Sequence, residues 1–127
     1  MNYTLQCSES KNHLRISVDG TWPAENTEKI ISEMHELWAK HQKPYLLIDI
    51  RNMKDKPSVL SDYKDAARFA KNKFYMVHRI AVMDNHNRKE ANDFFETTAY
   101  NRGLRIRFFY ADDHQAIDWL NQGENAG

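Results

Sequence analysis

Two short segments near the start of the chain alternate between apolar and polar residues, which is the two-residue period of a half-buried β-strand. They cover residues 3–8 and residues 13–19. The polar connection between them, SESKN, is short enough for a hairpin, so the two predicted strands are antiparallel. Cys7 falls on the apolar side of its strand and is therefore predicted to be a small core residue.

The apolar period then changes to that of an amphipathic helix, with apolar residues every three or four positions from Thr27 to Trp38. Further along, buried-strand runs alternate with helical patterns three more times. The predicted strands are 45–50, 78–83 and 104–110, and the helices that follow them are 59–72, 87–103 and 112–122. Strands that alternate with helices imply right-handed crossovers and a mostly parallel sheet. The order ββαβαβαβα thus predicts an α/β fold with a mixed, mostly parallel five-stranded sheet and about four helices.

Local signals mark several helix ends. Asn87 with Glu90, and Asp112 with Gln115, have the three-residue spacing of a capping box at a helix start. Gly103 lies at the end of the third predicted helix, a position at which glycine commonly ends a helix. The chain is predicted to form a single domain over residues 1–121, followed by a frayed tail at 122–127.

Two pairs of adjacent phenylalanines constrain the packing. Phe94 and Phe95 share a wide helical stripe, so both are predicted to face inward. Phe108 and Phe109 are neighbours in a strand and must point to opposite faces of the sheet. One of that pair is expected to line a pocket, face a covering helix or join a dimer contact, which leaves a homodimer open.

Composition limits the range of partners. The 127 residues contain 18 Lys plus Arg and 18 Asp plus Glu, so the formal net charge is zero and nucleic acid is not expected as a partner. The first ten residues, MNYTLQCSES, lack the basic and apolar regions of a secretory signal, and no apolar run approaches the roughly 20 residues of a membrane span. A single cysteine is typical of a reducing compartment, so the expected location is cytoplasmic.

Polar residues follow the predicted parallel strands, at the edge of the sheet where ligands of open α/β folds bind. The candidate ligand-binding residues are Arg51, Asn52, Asp84, Asn85, His86 and Tyr110. The helix amino ends that meet this edge favour anions, so a phosphate or carboxylate could bind there. The alternative is that these polar residues only form ordinary turns and helix caps.

Asp49 is a separate case, because it lies within an apolar strand. A carboxylate in a sheet covered on both faces must be paired or neutralised. Arg51, on the same strand face, and Arg79 are its candidate partners, and a direct ligand contact is the alternative.

No catalytic, metal or cofactor site is predicted. Asp84 and His86 could form an acid–base pair, but residues two apart in an extended segment share a face only while the segment stays extended. The six histidines show no metal-ligand spacing, and no glycine-rich phosphate loop or nucleophile elbow occurs.

Four segments carry a resemblance to a known family: LLIDIRNM, HRIAVMDN, FFETTAYNRGLRIRFF and DHQAIDWL. Together they resemble the SpoIIAA-like group of STAS domains, which is also described as SEC14-like. The resemblance extends over about residues 13–121. Its signatures are Asp49 with Arg51, the strand from Arg79 to Val82, and the Ala-x-x-Trp-Leu pattern that begins at Ala116.

The resemblance implies a small α/β module, usually non-enzymatic, that binds a protein partner or a small anionic or lipid-like ligand. In the anti-sigma-factor antagonists of this group, a Ser or Thr at the start of the second helix is phosphorylated by a partner kinase. Ser58 lies closest to that position and Ser61 follows one turn later, although the sequence here is KPSV where the antagonists have a DSSG-like sequence.

An ordinary helix cap is the alternative role for Ser58. A second function is also open: the SEC14-like relationship implies a carrier of a small or lipid-like molecule. Its apolar pocket would be lined by Trp38, Tyr63, Phe69 and Phe95.

Overall fold

Six strands form one mixed sheet in the computed structural model, which describes residues 3–23, 27–56 and 76–125. The strands are β1 Tyr3–Glu9, β2 His13–Thr21, β3 Tyr45–Asp49, β4 Met53–Lys54, β5 Arg79–Met83 and β6 Ile106–Phe109. The helices in the described residues are α1 Thr27–His41, α2 Lys89–Tyr100 and α3 Asp113–Asn125, with a 3₁₀ turn at His86–Arg88. The predicted helix over 59–72 lies outside the described residues.

The strand order is β1-β2-β3-β5-β6, with β1 antiparallel to β2 and the other neighbours parallel. The predicted α/β fold, hairpin and mostly parallel sheet are therefore confirmed. The sixth strand, β4, was not predicted. It pairs two residues with the end of β2, Gly20 with Met53 and Thr21 with Lys54, and two residues are too few to show a strand period.

The sheet is covered on both faces, as a parallel sheet requires. Helices α1 and α2 pack on one face, which we call the α1/α2 face, and α3 packs on the other, the α3 face. Buried residues of the α1/α2 face include Leu14, Ile16, Ile30, Met34, Leu46, Ile48, Val82, Phe95 and Phe108. Buried residues of the α3 face are Tyr45, Leu47, Ala81, Met83, Phe109, Ala116 and Leu120.

Both members of the Phe108–Phe109 pair face covering helices. Phe108 meets Phe95 of α2 edge-on at 5.7 Å between ring centroids, and Phe109 packs against Trp119 of α3 at 5.9 Å. Phe94, by contrast, is 56% exposed, so its predicted inward position is wrong. The stripe of α2 that meets the sheet contains Asn92, Phe95 and Ala99, and Phe94 projects about 100° away from Phe95 around the helix.

Cys7 is exposed, and its predicted core position is wrong as well. Its strand, β1, is an edge strand whose burial decreases from Tyr3 toward Glu9. Alternation alone identifies the face of a strand, but whether that face is covered depends on the helix above it.

The helix ends agree with the sequence in part. Asp112 Oδ1 accepts the backbone N–H groups of His114 and Gln115 at 3.0 and 3.4 Å, which confirms the predicted cap of α3. The predicted Asn87–Glu90 capping pair is wrong, because Asn87 lies inside the 3₁₀ turn and α2 follows directly from it. Helix α3 continues to Asn125, so residues 122–125 are helical where a tail was expected.

Candidate functional site

The candidate residues lie at the carboxyl ends of β3, β5 and β6, but the sheet separates them into two groups. Asp49 continues the alternation of Tyr45 and Leu47 and so belongs to the α3 face. Asp84 contacts Asn92 of α2 and belongs to the α1/α2 face. Arg51 and Asp84 therefore lie on opposite faces of the sheet.

On the α3 face, two arginines and two aspartates form a closed set of ion pairs that we call the arginine–aspartate ring. Its members are Arg15, Asp49, Arg51 and Asp113. Arg15 donates to Asp49 Oδ2 at 2.7 Å and to Asp113 Oδ2 at 2.9 Å. Arg51 donates to both oxygens of Asp49 at 3.0 and 2.8 Å, and to Asp113 Oδ1 at 3.1 Å. The ring has no net charge.

The register of the sheet explains why Arg15 reaches Asp49. Arg15 lies opposite Leu47, and Ser17 lies opposite Asp49. The long side chain of Arg15 therefore reaches two residues further along β3 to contact Asp49. Asp113 enters from the first turn of α3. Burial by itself would raise the pKa of Asp49, but the hydrogen bonds from Arg51 and the nearby charges of both arginines outweigh it and lower the pKa below its ordinary value.

Of the two arginines predicted as partners of Asp49, Arg51 is the one that pairs with it. The backbone N–H of Arg51 also donates to Asp49 Oδ1, at 3.1 Å. Arg79, the other candidate, instead donates to the backbone oxygen of Trp119 at 2.6 Å and lies 4.9 Å from the centre of its ring. It thereby links the start of β5 to α3.

On the α1/α2 face, Asp84 is fully buried, and its carboxylate accepts hydrogen bonds from four residues. We call Asp84 and these four residues, Lys56, Asn85, Arg88 and Asn92, the Asp84 cluster. Lys56 Nζ and the backbone N–H of Asn85 donate to Oδ1, at 2.6 and 2.8 Å. Arg88 Nε and Asn92 Nδ2 donate to Oδ2, both at 2.9 Å. Lys56 also donates to the side chain of Asn85 and to the backbone oxygen of Ile50.

These bonds decide the ionisation of Asp84. Burial opposes the charged form and would raise the pKa, yet the hydrogen bonds from Lys56, Asn92 and Asn85 outweigh it, so the pKa lies below its ordinary value. A carboxylate held in this way is a structural anion and a poor proton acceptor.

Three candidate residues, Asn52, Asn85 and His86, are exposed, and Asn85 also belongs to the Asp84 cluster. The ring of His86 meets that of Tyr110 edge-on, with 5.6 Å between centroids. Tyr110 is partly covered against the α1/α2 face, and burial is the main cause that raises the pKa of its hydroxyl to about 12. His86 is thus supported by a neutral aromatic ring.

The phosphorylation candidates Ser58 and Ser61 lie outside the described residues. Lys56 is the last described residue before the segment that contains them.

The sequence did not identify Arg15, Lys56, Arg88 or Asn92 as members of these clusters. A weak indication existed for Arg15, because it lies on the polar side of β2, and β2 pairs with the strand that contains Asp49. The other three are ordinary polar residues of a loop and a helix start, and only the folded chain brings them to Asp84.

The described part of the predicted carrier pocket is not one cavity. Phe95 lines a small apolar cavity of about 30 Å³ together with Trp22 and Ile48, and this volume is far too small for a lipid-like molecule. Trp38 lines a different, open groove of about 480 Å³ with Pro44 and Met76. Tyr63 and Phe69 lie outside the described residues.

Neither a metal site nor a membrane span is found in the part of the chain that the structure describes. Within residues 3–23, 27–56 and 76–125, no three His, Cys, Asp or Glu side chains are grouped so that they could hold a metal ion. The helices of these same ranges are too short or too polar to cross a bilayer.

Solved structures with a similar fold include two that cover nearly the whole chain. One is an anti-sigma factor antagonist from Mycobacterium paratuberculosis, with a TM-score of 0.60, 12% identity and 94% of each chain covered. The other is an uncharacterized protein of the DUF3478 family with a SpoIIAA-like fold from Shewanella loihica PV-4, with a TM-score of 0.59, 18% identity and 94% of each chain covered. No curated protein matches the sequence significantly.

The family assignment comes from the sequence itself. The model of the SpoIIAA-like family matches residues 13–121, which is most of the 127-residue chain. This match agrees with the strand order and with both solved structures, and the protein therefore belongs to the SpoIIAA-like family.

Proposed function

We propose that this protein is a non-catalytic regulatory module that binds a protein partner at the carboxyl ends of β3 and β5. The contact surface, which we call the rim, consists of Asn52, Asp55, Asn85 and His86, all of which are exposed. The observation that carries the proposal is that the charged candidates Arg51 and Asp84 are committed to internal ion pairs, whereas the side chains of Asn52, Asp55 and His86 are exposed at the rim.

The ion pairs argue against a small anion as the principal ligand. A phosphate that bound Arg51 would compete with Asp49 and Asp113, which already accept its guanidinium hydrogens at 2.8–3.1 Å. Lys56 is likewise held by Asp84 and Asn85, both at 2.6 Å. A polar surface of this kind suits the edge of a protein interface, where hydrogen bonds rather than net charge provide the contacts.

The same pairing argues against catalysis at the rim. A general base must present a proton-accepting atom toward a substrate. Asp84 is enclosed and accepts four hydrogen bonds, so its oxygens face Lys56, Arg88 and Asn92. His86 meets the edge of Tyr110, with no carboxylate among the residues bonded to it in the described ranges.

The relatives support a regulatory role. One protein with this fold is an anti-sigma factor antagonist. At 12% identity this likeness shows only that the two chains share a fold. A regulatory role for the present chain is therefore part of our proposal. The proposal includes control by phosphorylation of Ser58 or Ser61. A phosphate adds up to two negative charges, and Ser58 follows Lys56 by two residues, so the added charge would lie close in sequence to the ammonium that pairs with Asp84.

The rim is tested by a matched pair of substitutions, Asn52→Arg and Gln6→Arg. Each converts an exposed amide to arginine, one at the rim and one on the edge strand β1. Tagged proteins are used to capture partners from extracts of the native host, with quantitative mass spectrometry as the readout. We expect Asn52→Arg to lose at least one partner that wild type and Gln6→Arg retain. Equal capture by all three proteins would contradict the proposal.

Phosphorylation is tested separately on protein purified from the native host. Intact mass reveals an added phosphate, and Ser58→Ala and Ser61→Ala identify its position. A phosphate that disappears in one variant, together with a changed set of captured partners, is the expected result. If neither serine is modified under any growth condition that yields partner capture, regulation by these serines is excluded while binding at the rim is retained.

A further inference from the structure

A cysteine, a histidine and a glutamate are arranged in series at the end of the sheet opposite to the rim. Cys7 Sγ lies 3.8 Å from His41 Nε2, and the other ring nitrogen of His41, Nδ1, is hydrogen-bonded to Glu9 Oε1. Cys7 is exposed, as is much of the Glu9 side chain, and His41 is 28% exposed. We call these three residues the Cys7 triad.

The fold creates this arrangement from two separate elements. Cys7 and Glu9 are two residues apart in β1, so their side chains point to the same face of the strand. Cys7 pairs with Ile16, whose side chain lies on the α1/α2 face, and His41 is the last residue of α1 on that face. The end of the helix therefore brings the imidazole over the two strand residues.

The order of the three groups has a chemical meaning. A carboxylate accepts hydrogen bonds only, so the hydrogen between His41 and Glu9 is on Nδ1 of the imidazole. In the neutral imidazole, Nε2 is then the acceptor, and it faces the thiol. The hydrogen bond to His41 is also the main cause that lowers the pKa of Glu9 below its ordinary value. Nucleophile, base and orienting acid are thus in the relation that activates a thiol.

We propose that Cys7 is a base-assisted nucleophile that undergoes exchange with low-molecular-weight disulfides. His41 Nε2 takes the proton of the thiol, and Sγ attacks one sulfur of the disulfide. The bond between the two sulfurs of the small molecule breaks as the bond to Cys7 forms, and the leaving thiolate takes the proton back from His41. The products are a mixed disulfide on Cys7 and one free small thiol, with no other oxidant or reductant.

The geometry favours exchange over metal binding. The imidazole lies between the thiol and the carboxylate and uses a different nitrogen for each, so one ion could not contact all three groups. Disulfide exchange requires only an accessible thiol and a group that takes and returns one proton. This site lies at the amino ends of the parallel strands and does not depend on the function proposed for the rim.

The experiment measures the rate of exchange with 5,5′-dithiobis(2-nitrobenzoate), from the release of its coloured thiolate. Because Cys7 is the single cysteine of the chain, the rate reports on this site alone. The matched control is the double variant Cys7→Ser/Ser8→Cys. Ser8 is exposed and pairs with Arg15, so its side chain lies on the opposite face, away from His41.

We expect wild type to react at least about tenfold faster than the control, a modest value for general-base assistance at an exposed site. His41→Ala should lower the rate to that of the control, and Glu9→Gln should give an intermediate rate. Added imidazole should restore the rate of His41→Ala without accelerating the Ser8→Cys control to the same extent, which separates a chemical role of His41 from a structural one. Circular dichroism confirms that each variant is folded.

Two results would overturn the proposal. One is a wild-type rate equal to that of the control. The other is a His41→Ala variant that is folded and reacts as fast as wild type. Intact mass after reaction identifies the product, which should be the chain with one thionitrobenzoate group on Cys7.

Discussion

Lys56 and Asp84 form a buried ion pair, with 2.6 Å between Nζ and Oδ1 and side-chain exposures of 6% and 0%. The two residues are 28 positions apart, and the pair joins the loop after β4 to the end of β5. Since the same ammonium also contacts Asn85 and the backbone of Ile50, it holds together two of the loops that form the rim.

Removing one member of this pair should be severely destabilising. Lys56→Met leaves Asp84 buried with one charged partner fewer, and a broken buried pair costs about 3–5 kcal/mol of unfolding free energy. Urea denaturation followed by circular dichroism measures the loss.

Lys89→Met is the matched control for Lys56→Met. Lys89 and Asp93 form an ion pair of similar length, 2.7 Å, but their side chains are 52% and 53% exposed. Removal of an exposed pair should change the free energy by less than about 0.5 kcal/mol. Equal effects of the two substitutions would show that burial does not determine the strength of the Lys56–Asp84 pair.

The Asp84 cluster should also control acid stability. The folded-state pKa of Asp84 lies below its ordinary value of 3.8, so the stabilisation is fully present above that pH and is lost as the pH falls through the folded-state pKa. We therefore expect wild type to be more stable than Asp84→Asn at neutral pH and the difference to shrink below about pH 4. Urea midpoints measured from pH 7 to pH 2 test this; a difference independent of pH would contradict it.

Within the arginine–aspartate ring, the two aspartates should differ in importance. Both aspartates accept hydrogen bonds from both arginines, but the side chain of Asp49 is 12% exposed and that of Asp113 is 40% exposed. Asp49→Asn should cost about 2–3 kcal/mol because two guanidinium groups lose the more buried of their two shared anions. Asp113→Asn should cost about 0.5 kcal/mol or less, and high salt should remove most of that. If Asp113→Asn were the more destabilising substitution in urea denaturation, the contribution of Asp113 from α3 would be larger than that of Asp49, and the prediction would be wrong.

Glu96 offers a test with the opposite pH dependence. Its carboxylate accepts the backbone N–H of Phe108 on the outer edge of β6 at 2.6 Å, and burial is the main cause that raises its pKa. A raised pKa means that the protein loses stability as the pH rises through the folded-state pKa.

Glu96→Gln keeps an acceptor for Phe108 without the charge. It should therefore increase stability at pH 7 by less than about 1 kcal/mol and have no such benefit at pH 4. Thermal unfolding at the two pH values provides the comparison. A loss of stability at pH 7 would indicate that the attraction of the carboxylate to Arg107 and Lys89 outweighs its burial.

Substitution of Gly103 should measure the cost of a positive φ angle at a residue other than glycine. Its φ is +82°, and a Cβ at this position would meet no atom within 4 Å. Gly103→Ala should cost about 1 kcal/mol from conformation alone, and Gly103→Asn should cost less because asparagine tolerates positive φ better. Equal melting temperatures for the alanine variant and wild type would show that the turn relaxes to negative φ.

Much of the fold could be predicted from the sequence because strand and helix periods are properties of neighbouring residues. The run around Leu46 and Ile48 is apolar without a break because β3 is central and covered on both faces. The cap at Asp112 is equally local, since the acceptor and its donors lie within three residues. Cys7 and Phe94 were placed incorrectly, because the period identifies a face but not whether another element covers it.

The sequence by itself determined the α/β class, the order of the elements and the polar character of the loops at the carboxyl ends of the strands. Only the tertiary structure decided which of those polar residues pair. The contacts Arg15–Asp49, Arg51–Asp113 and Arg15–Asp113 join residues 34, 62 and 98 positions apart. Such pairing depends on strand register and on the approach of α3, and both are set by packing of the whole chain rather than by any local pattern of residues.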